Sequence, residues 1–544
     1  MRRAAFLAIA GLVAAGAALH AQRGGRQRPQ TDVPPAPRPT FRAATRLVEV
    51  TVVVQDSDRR PVPDLARDDF TIYDEGREQQ IELFTVQSDA PRPTAAAAAA
   101  AASAPAGVFS NHVDPRAAGS VTAILIDRIN SRAADQTYAR NQLLSFLAQI
   151  RPEDRVAIYV LEPDAVHVMH DFTNDSASLV RALGRYRARD TDPTAAESVG
   201  PSTGDPEIDA IIDETTKKLE SMLVPRRVES TTQALEAIAH HLAGVRGRKN
   251  LIWVSSGFPV TAPDGTGGTL TFSRQLNRAV RAVNDGNIAI YPVDDRGLLP
   301  PYLRTIQATA TRLAGARVPM TSDMSRVSAT QDSMRALADD TGGRVFLNTN
   351  DIGGAVRRAI DDGRVTYTLG YYPSLDKWDG KFREIKVKVN RPGVTVRHRK
   401  GYVAAAMADD PNARQDALLQ LARSPLPATG IGLMADIAPN AARAGEVALT
   451  MRVDPGTVTL QKSGDNWVGV LDVLIVQSTP DGALFKTFAG AVNLNFADAR
   501  RAVFMTEGLA LTRTIALQPN AVQLRVLVRD APTGTTGSLI IPVR

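Results

Sequence analysis

The chain has 544 residues, 44% hydrophobic and 22% charged, a composition typical of a globular protein with several domains. Its 64 basic and 58 acidic residues leave a net charge of only +6, and no dense Lys/Arg block indicates a nucleic-acid partner. The absence of cysteine excludes disulfides, zinc–thiolate sites, a cysteine nucleophile and a lipid-modified N-terminal cysteine.

Residues 1–21 have the pattern of a secretory signal peptide. A basic start (MRR) precedes an Ala-rich apolar stretch up to Leu19, and cleavage is predicted after Ala17 or Ala21. No other segment is long and apolar enough to span a membrane. The mature protein is therefore predicted to be exported, to the periplasm or outside the cell, without a transmembrane segment. Residues 22–40, rich in Arg, Pro and Gln, are predicted to be a linker.

Residues 41–88 are predicted to form strands of a β-sandwich. Alternating valines begin at Val48, and further strands are predicted at Phe70–Tyr73 and Ile81–Val86. This stretch is short for an independent core, so strands from elsewhere in the chain are expected to complete it. Residues 89–118, which include a run of eight alanines, are predicted to be a linker.

Residues 119–374 alternate between short apolar runs and amphipathic segments, which predicts a doubly wound, mostly parallel α/β sheet with helices on both faces. Residues 190–230 interrupt this rhythm as an insertion, in which Pro206 to Met222 has helical spacing, and a helix from Thr231 is expected to follow. The predicted strands are 121–126, 155–161, 250–255, 287–293, 345–347 and 365–371.

The remaining chain returns to β patterning. Residues 375–404 are predicted to complete the N-terminal sandwich, and residues 405–429 to form a linker with one short helix. Residues 430–544 contain strand-like runs separated by Pro, Gly and Asn turns, which predicts a separate antiparallel β-sandwich.

The stretch VTAILIDRINS carries the first functional signal. A buried strand ends at Asp127, and Asn130 and Ser131 follow it. The carboxyl end of a buried parallel strand is where open α/β sheets bind ligands, and these oxygen-bearing side chains suit Mg²⁺, Mn²⁺ or Ca²⁺. The alternative is structural, with Asp127 and Ser131 capping the next helix.

Several motifs occur in a fixed order between residues 41 and 402: LVEVTVVVQDSDRRPVPDLARDDFTIYDEGREQQIELF, VTAILIDRINS, GRKNLIWVSSGFP, IAIYPVDDRGL, LADDTGGRVF and YTLGYYP. On these motifs the central region resembles the von Willebrand factor A (VWA) domain. The chain as a whole resembles the secreted VWFA-related proteins of acidobacteria. The resemblance implies a von Willebrand A, Rossmann-like fold flanked by β-sandwich modules, and it does not reach the C-terminal sandwich.

Domains of this family usually hold a divalent cation in a metal-ion-dependent adhesion site. The family pattern is Asp-x-Ser-x-Ser after the first strand, a Thr on a later loop and an Asp after the fourth strand. By this resemblance Asp127 matches the first Asp and Ser131 the second Ser, with Asn130 as a further oxygen donor. Thr231 or Thr232 matches the Thr.

Two positions depart from the family pattern. Ile129 stands where the first Ser should be, and Ser256 stands where the family has Asp. Losing an anionic ligand weakens a hard-cation site. The expectation is therefore either a degenerate site that binds Mg²⁺, Mn²⁺ or Ca²⁺ weakly, or a face that binds without metal.

Other chemistry finds little support. The sequence GPSTG at residues 200–204 matches a hydrolase nucleophile elbow, but it lies in a polar insertion without the required strand and helix. His167 and His170 are three residues apart, so on a strand they point to opposite faces. The sequence contains neither an HExxH motif nor a Walker-type phosphate loop.

These observations predict an exported, non-enzymatic, adhesion-type protein that binds a protein ligand of unknown identity through the top face of the A-like domain. A carboxylate of the partner is expected to meet that face near Asp127 and Ser256. The alternative is a structural cell-envelope module whose A domain is a metal-free scaffold.

Overall fold

The computed structural model describes residues 47–88, 108–111, 120–163, 165–190, 205–245, 247–263, 268–298, 321–374, 378–404, 410–440 and 442–543. The signal-peptide prediction, the linker at 22–40 and the GPSTG motif lie outside these residues. The helices are α1 (Ala133–Leu147), α2 (Ser176–Gly184), α3 (Pro206–Leu242), α4 (Ser273–Asp285), α5 (Thr321–Thr341), α6 (Ile352–Asp362), α7 (Pro411–Leu421) and α8 (Asp498–Glu507). The strands are β1 (Val48–Gln55), β2 (Phe70–Asp74), β3 (Arg77–Gln79), β4 (Leu83–Ser88), β5 (Val108–Ser110), β6 (Val121–Asp127), β7 (Arg155–Leu161), β8 (Val166–Thr173), β9 (Lys249–Ser255), β10 (Thr261–Pro263), β11 (Thr269–Thr271), β12 (Ile288–Asp294), β13 (Val365–Tyr371), β14 (Phe382–Val389), β15 (Thr395–Arg397), β16 (Gly401–Val403), β17 (Leu433–Pro439), β18 (Glu446–Val453), β19 (Gln461–Ser463), β20 (Asn466–Ser478), β21 (Leu484–Ala497), β22 (Leu509–Ala516), β23 (Gln523–Asp530) and β24 (Thr536–Pro542).

The central sheet has the strand order β12-β9-β6-β7-β8. Its first four strands are parallel, and β8 runs antiparallel to β7. The chain passes from β6 to β7 and β8, then crosses to the other side of β6 for β9 and β12. The strand order therefore reverses at β6. The strand predicted at 345–347 is reduced to one parallel bridge, between Phe346 and Val293.

Both faces of the central sheet are covered by helices, because its strands alternate between two apolar cores. Leu125 and Trp253 belong to the core that α3, α4 and α5 cover. Ile126 and Val254 belong to the opposite core, which α1, α2 and α6 cover. Every residue of β6 is buried, as the continuous apolar run predicted.

An N-terminal β-sandwich is formed by the four-stranded sheets β15-β1-β13-β4 and β16-β14-β2-β3. The structure differs from the sequence prediction at β13, which was expected to be the last strand of the alternating region. It pairs antiparallel with β1 and β4 instead. The physical reason is its alternation: Tyr367, Leu369 and Tyr371 are fully buried in the sandwich core, so the strand belongs to this sheet.

A C-terminal sandwich is formed by the sheets β22-β18-β17-β5 and β19-β20-β23-β24, with β21 paired to β20. Part of the predicted linker 89–118 contributes to it, because β5 pairs with β17. Asn111 fixes this strand by donating from Nδ2 to the carbonyls of Ala428 (2.6 Å) and Ile431 (2.9 Å) and by accepting from the Leu433 N–H (2.6 Å).

The helical spacing predicted from Pro206 to Met222 and the helix predicted from Thr231 belong to one continuous helix, α3. Asp205 caps its start, where its carboxylate accepts the Glu207 N–H at 2.9 Å, and Pro206 takes the first helical position. Pro225 lies within the helix without ending it. Thr231 and Thr232 therefore lie within this helix. The sequence had placed them at the N-terminus of a helix, and that prediction is wrong. Among the described residues no helix combines the length and apolar character needed to cross a membrane.

Candidate functional site

The reversal of strand order at β6 brings polar side chains together at the carboxyl edge of the central sheet. Asp127 ends β6, Ser255 ends β9 and Asp294 ends β12. All three are fully buried. A reversal of this kind opens a crevice between neighbouring strands, and open α/β sheets place their ligands there.

The Asp127 carboxylate is saturated by donors from the protein. Its Oδ1 accepts the backbone N–H groups of Ile129 (2.8 Å) and Asn130 (3.0 Å). Its Oδ2 accepts Asn130 Nδ2 (2.8 Å), Trp253 Nε1 (3.0 Å) and Ser255 Oγ (2.8 Å). A carboxylate offers about four lone-pair positions, so these donors occupy the acceptor capacity of both oxygens.

Neither residue proposed to cap the next helix does so. The backbone donors to Asp127 belong to the loop that follows β6, before α1 begins. The first N–H of α1, that of Ala133, donates to Asp190 Oδ1 at 2.7 Å. Ser131 Oγ accepts the Ser256 N–H at 3.3 Å. Asp127 and Ser131 therefore organise the loop and the strand ends, and not the helix start.

The two candidate threonines have different surroundings. Asn130 donates its second amide hydrogen to Thr231 Oγ1 at 2.9 Å, and that hydroxyl donates to the Arg227 carbonyl at 2.8 Å. Thr232 Oγ1 donates to the carbonyl of Val228 at 2.8 Å, on its own helix. Thr231 thus belongs to the cluster around Asp127, whereas Thr232 is occupied within α3.

A second carboxylate lies beside the cluster. Asp295 is buried, and its Oδ1 accepts the Ser256 hydroxyl at 2.7 Å, while Ser131 also hydrogen-bonds to its side chain. Burial raises the pKa of Asp295 from 3.8 to about 7, with a further increase from the Asp135 and Asp294 carboxylates. The two serine hydroxyls partly oppose this increase.

Asp294 does not share this environment, because Arg296 neutralises it. The guanidinium donates from Nε and from its NH2 nitrogen to the two carboxylate oxygens, both at 2.8 Å. Gln331 Nε2 adds a third donor at 3.0 Å. A bidentate pair of this kind holds both partners in a fixed geometry. Asp294 is therefore committed to Arg296 and is not available to a ligand.

The structure brings together five of the six residues singled out from the sequence and leaves Thr232 apart. The five are Asp127, Asn130, Ser131, Thr231 and Ser256.

Three further residues of the cluster escaped the sequence analysis: Trp253, Ser255 and Asp295. Trp253 pairs in register with Leu125, two residues before Asp127, so alternation places Trp253, Ser255 and Asp127 on one face of the sheet. That register is the signal that could have identified the first two. Asp295 directly follows the strand beside β9, where a second carboxylate at a strand end was visible in the sequence.

The donor chemistry around Asp127 does not fit a divalent cation. An indole N–H and an amide NH₂ can only donate, and Trp253 and Asn130 direct these groups at the same oxygen. A hard cation needs those lone pairs free. Across the part of the chain that the structure describes, no group of three or more His, Cys, Asp or Glu side chains is arranged to hold a metal ion.

The paired histidines of β8 have ordinary surface contacts. His167 is 59% exposed and lies 3.4 Å from Glu162, and His170 Nδ1 contacts the Asp171 carbonyl at 2.7 Å. Neither histidine approaches the cluster around Asp127 in these contacts. His167 is exposed and His170 is half-buried.

Comparison with known proteins gives matches only among solved structures. No family model matches the chain, and no curated protein matches it. The SpRpn10 VWA domain is 12% identical at a TM-score of 0.21, over 45% of this chain and 97% of that one. The TFIIH p34 N-terminal domain is 16% identical at 0.19, over 44% and 96%. The pilus adhesin SpaC from Lactobacillus rhamnosus GG is 10% identical at 0.25, over 78% and 56%. At TM-scores this low the likenesses do not extend to function.

Proposed function

We propose that the chain is an exported, non-enzymatic protein-binding protein whose central sheet is a doubly wound, VWA-type domain that works as a cation-independent scaffold. The observation that carries this proposal is the Asp127 carboxylate, which five protein donors saturate. A carboxylate held in this way has no lone pair left for a cation, a partner or a proton transfer.

Three features support the wider proposal. The strand order reverses at β6, and the quoted motifs follow the family order along the chain. The pattern of residues 1–21 supports export. The candidate residues are buried or half-buried, so a carboxylate of a partner protein would meet the rim of this face and not Asp127 itself.

Cation-dependent adhesion at the same face is the competing function, and Asp295 is the observation in its favour. Its carboxylate lies with two serine hydroxyls, which is a hard-oxygen set. A structural role in the cell envelope is compatible with the same saturated cluster, and it differs by the absence of a soluble partner.

Thermal melts of the full-length protein separate these functions. The protein is melted in EDTA and then with excess Mg²⁺, Mn²⁺ or Ca²⁺, because a ligand at a hundred times its Kd stabilises by about 2.7 kcal/mol. We expect the four melting curves to coincide, and a partner protein trapped by cross-linking to bind equally with and without EDTA. Stabilisation by one of the ions that disappears in Asp295→Ala would instead establish a cation site at this face and favour cation-dependent adhesion.

A further inference from the structure

The N-terminal part of α3 is exposed, unlike its C-terminal half. The helix has 37 residues, which corresponds to a length of about 55 Å. Its C-terminal half is packed, with Val228, Leu235 and Ile238 fully buried in the core beside the central sheet. Wherever side chains are described from Asp205 to Lys218, they are exposed. We refer to Pro206–Met222 as the α3 arm.

The α3 arm carries an exposed apolar stripe. Ile208 is 47% exposed, Ile211 64% and Met222 74%. At 3.6 residues per turn these positions fall within one side of the helix, and the sequence continues the same spacing at Ile212 and Leu219. Large apolar side chains aligned along several turns are typical of a seam between two helices.

The charges of the arm are segregated along its length. Residues 207–214 contain four acidic residues and no basic one, whereas residues 215–222 contain two basic residues and one acidic residue. The acidic residues of the first part are Glu207, Asp209, Asp213 and Glu214, and the charged residues of the second part are Lys217, Lys218 and Glu220. Lys218 Nζ lies 2.7 Å from Glu214 Oε1 of its own helix, an exposed pair that an added partner can share.

This charge segregation indicates which helix can cover the apolar stripe and in which direction it runs. Two arms laid parallel would place acid against acid and base against base, which is unfavourable. Two arms laid antiparallel place the acidic part of each against the basic part of the other. A two-fold axis near Thr215 then sets Ile208 of one copy opposite Met222 of the other, which is a self-complementary contact.

We propose that the α3 arm is a dimerisation element that pairs antiparallel with the same segment of a second copy of this chain. The apolar stripe supplies the buried seam and the segregated charges set the direction. Exposed charge pairs contribute only a few tenths of a kcal/mol each, so they discriminate between orientations more than they add affinity. The proposal does not depend on the function proposed above, because it uses no residue of the cluster around Asp127.

The mass of the full-length protein in solution tests the proposal. Sedimentation equilibrium from about 1 to 100 µM should give twice the 58.3 kDa chain mass for the wild type. Ile211→Asp should give the monomer, whereas Ala210→Asp, an equal added charge at an exposed position on the opposite side of the same turn, should leave the dimer. A monomeric wild type, or a dimer that Ile211→Asp leaves intact, would overturn the proposal and assign the stripe to a different occupant.

Cross-linking tests the direction of pairing, because the chain has no cysteine of its own. Oxidation of a mixture of Ile208→Cys and Met222→Cys chains should link one variant to the other. Neither variant alone should form a linked dimer, since in the antiparallel pair equivalent positions are about 21 Å apart along the axis. Linkage of Ile208→Cys chains to each other would show parallel pairing and contradict the proposal.

Charge exchange provides an independent test. Glu207→Lys, Asp209→Lys, Asp213→Lys and Glu214→Lys together leave only basic charges at residues 207–218, and Lys217→Glu with Lys218→Glu leaves only acidic charges at residues 207–222. Each variant alone should dimerise with a Kd at least tenfold higher than that of the wild type, and an equimolar mixture of the two should form dimers again. Equal dimerisation of all three samples would refute the role assigned to the charges.

Discussion

The substitution Asp127→Asn should change the stability of the fold in opposite directions for a structural cluster and for a metal site. Asparagine has the shape of aspartate but replaces one acceptor oxygen with an NH₂ group. In this structure that group would face the donors of Asn130 and Trp253. In a metal site studied without metal, the same change removes a negative charge from a group of mutually repelling ligands and is neutral or stabilising.

The magnitude follows from the contacts. Asp127 is fully buried, and two of its donors, Trp253 Nε1 and Asn130 Nδ2, cannot act as acceptors. A buried donor left without an acceptor costs about 1 to 3 kcal/mol, and hydrogen bonds to a charged group contribute about 1.5 to 3 kcal/mol each. The Ser255 hydroxyl can rotate and accept, so we expect a net loss of about 3 to 5 kcal/mol.

The assay uses Trp253 as its own probe. Trp378→Phe and Trp467→Phe leave Trp253 as the last of the three tryptophans, and melting is followed by its fluorescence in EDTA. Asp127→Asn should lower the midpoint by roughly 6 to 20 °C. A matched control comes from α3, where Thr232→Val removes a hydroxyl that bonds only to its own helix. An unchanged or higher midpoint in Asp127→Asn would refute the structural role.

Three further predictions concern other buried polar groups. The pKa of Asp295 is raised to about 7, so the neutral form of this side chain stabilises the fold below pH 4, and this contribution is lost as the pH rises through 7. In denaturant titrations between pH 5 and pH 8, the wild type should therefore lose roughly 2 to 3 kcal/mol of stability relative to Asp295→Asn. A stability difference that stays constant with pH would contradict this. Asn111→Ala removes three buried hydrogen bonds, so the C-terminal sandwich should lose about 2 to 4 kcal/mol of stability. The Leu433 amide should also exchange faster in hydrogen-exchange measurements. Unchanged protection of this amide would show that Asn111 does not anchor β5. Tyr371→Phe deletes the hydroxyl that donates to the buried Asp74 carboxylate at 2.8 Å and should cost about 1.5 to 3 kcal/mol in urea unfolding, and a cost near zero would mean that this bond adds nothing to the sandwich.

Periodicity predicted the elements where one physical rule dominates. β6 is buried on both faces, so a continuous apolar run was sufficient to place it in a parallel sheet. β13 was misplaced for the complementary reason. Its residues at 365–371 also form a short strand-like segment, but which sheet receives them depends on pairing partners far away in the sequence, in β1 and β4. The alternation of Tyr367, Leu369 and Tyr371 is compatible with a sandwich strand, but it does not identify β1 and β4 as the partners.

The location of the candidate site was predicted from the sequence, whereas the hydrogen-bond donors that surround Asp127 were not. Motif matching placed Asp127, Asn130 and Ser131 together at a strand end, and the structure places them there. It could not show what the carboxylate meets, because Trp253 lies on another strand and reaches Asp127 only through the sheet register. A tryptophan in an apolar strand is predicted to be a core residue, and this one is both core and hydrogen-bond donor.

A buried carboxylate at this position must be compensated, whether by a cation or by donors from the protein. This chain uses donors: Trp253 and Ser255 come from β9, and Asn130 comes from the loop after β6. Such a cluster leaves no lone pair of Asp127 for a partner to complete. On the function proposed above, a partner therefore binds exposed residues, and the α3 arm displays aligned apolar side chains with segregated charge. If the arm pairs two copies as proposed, the protein is bivalent, and weak contacts elsewhere on each copy gain strength from being linked.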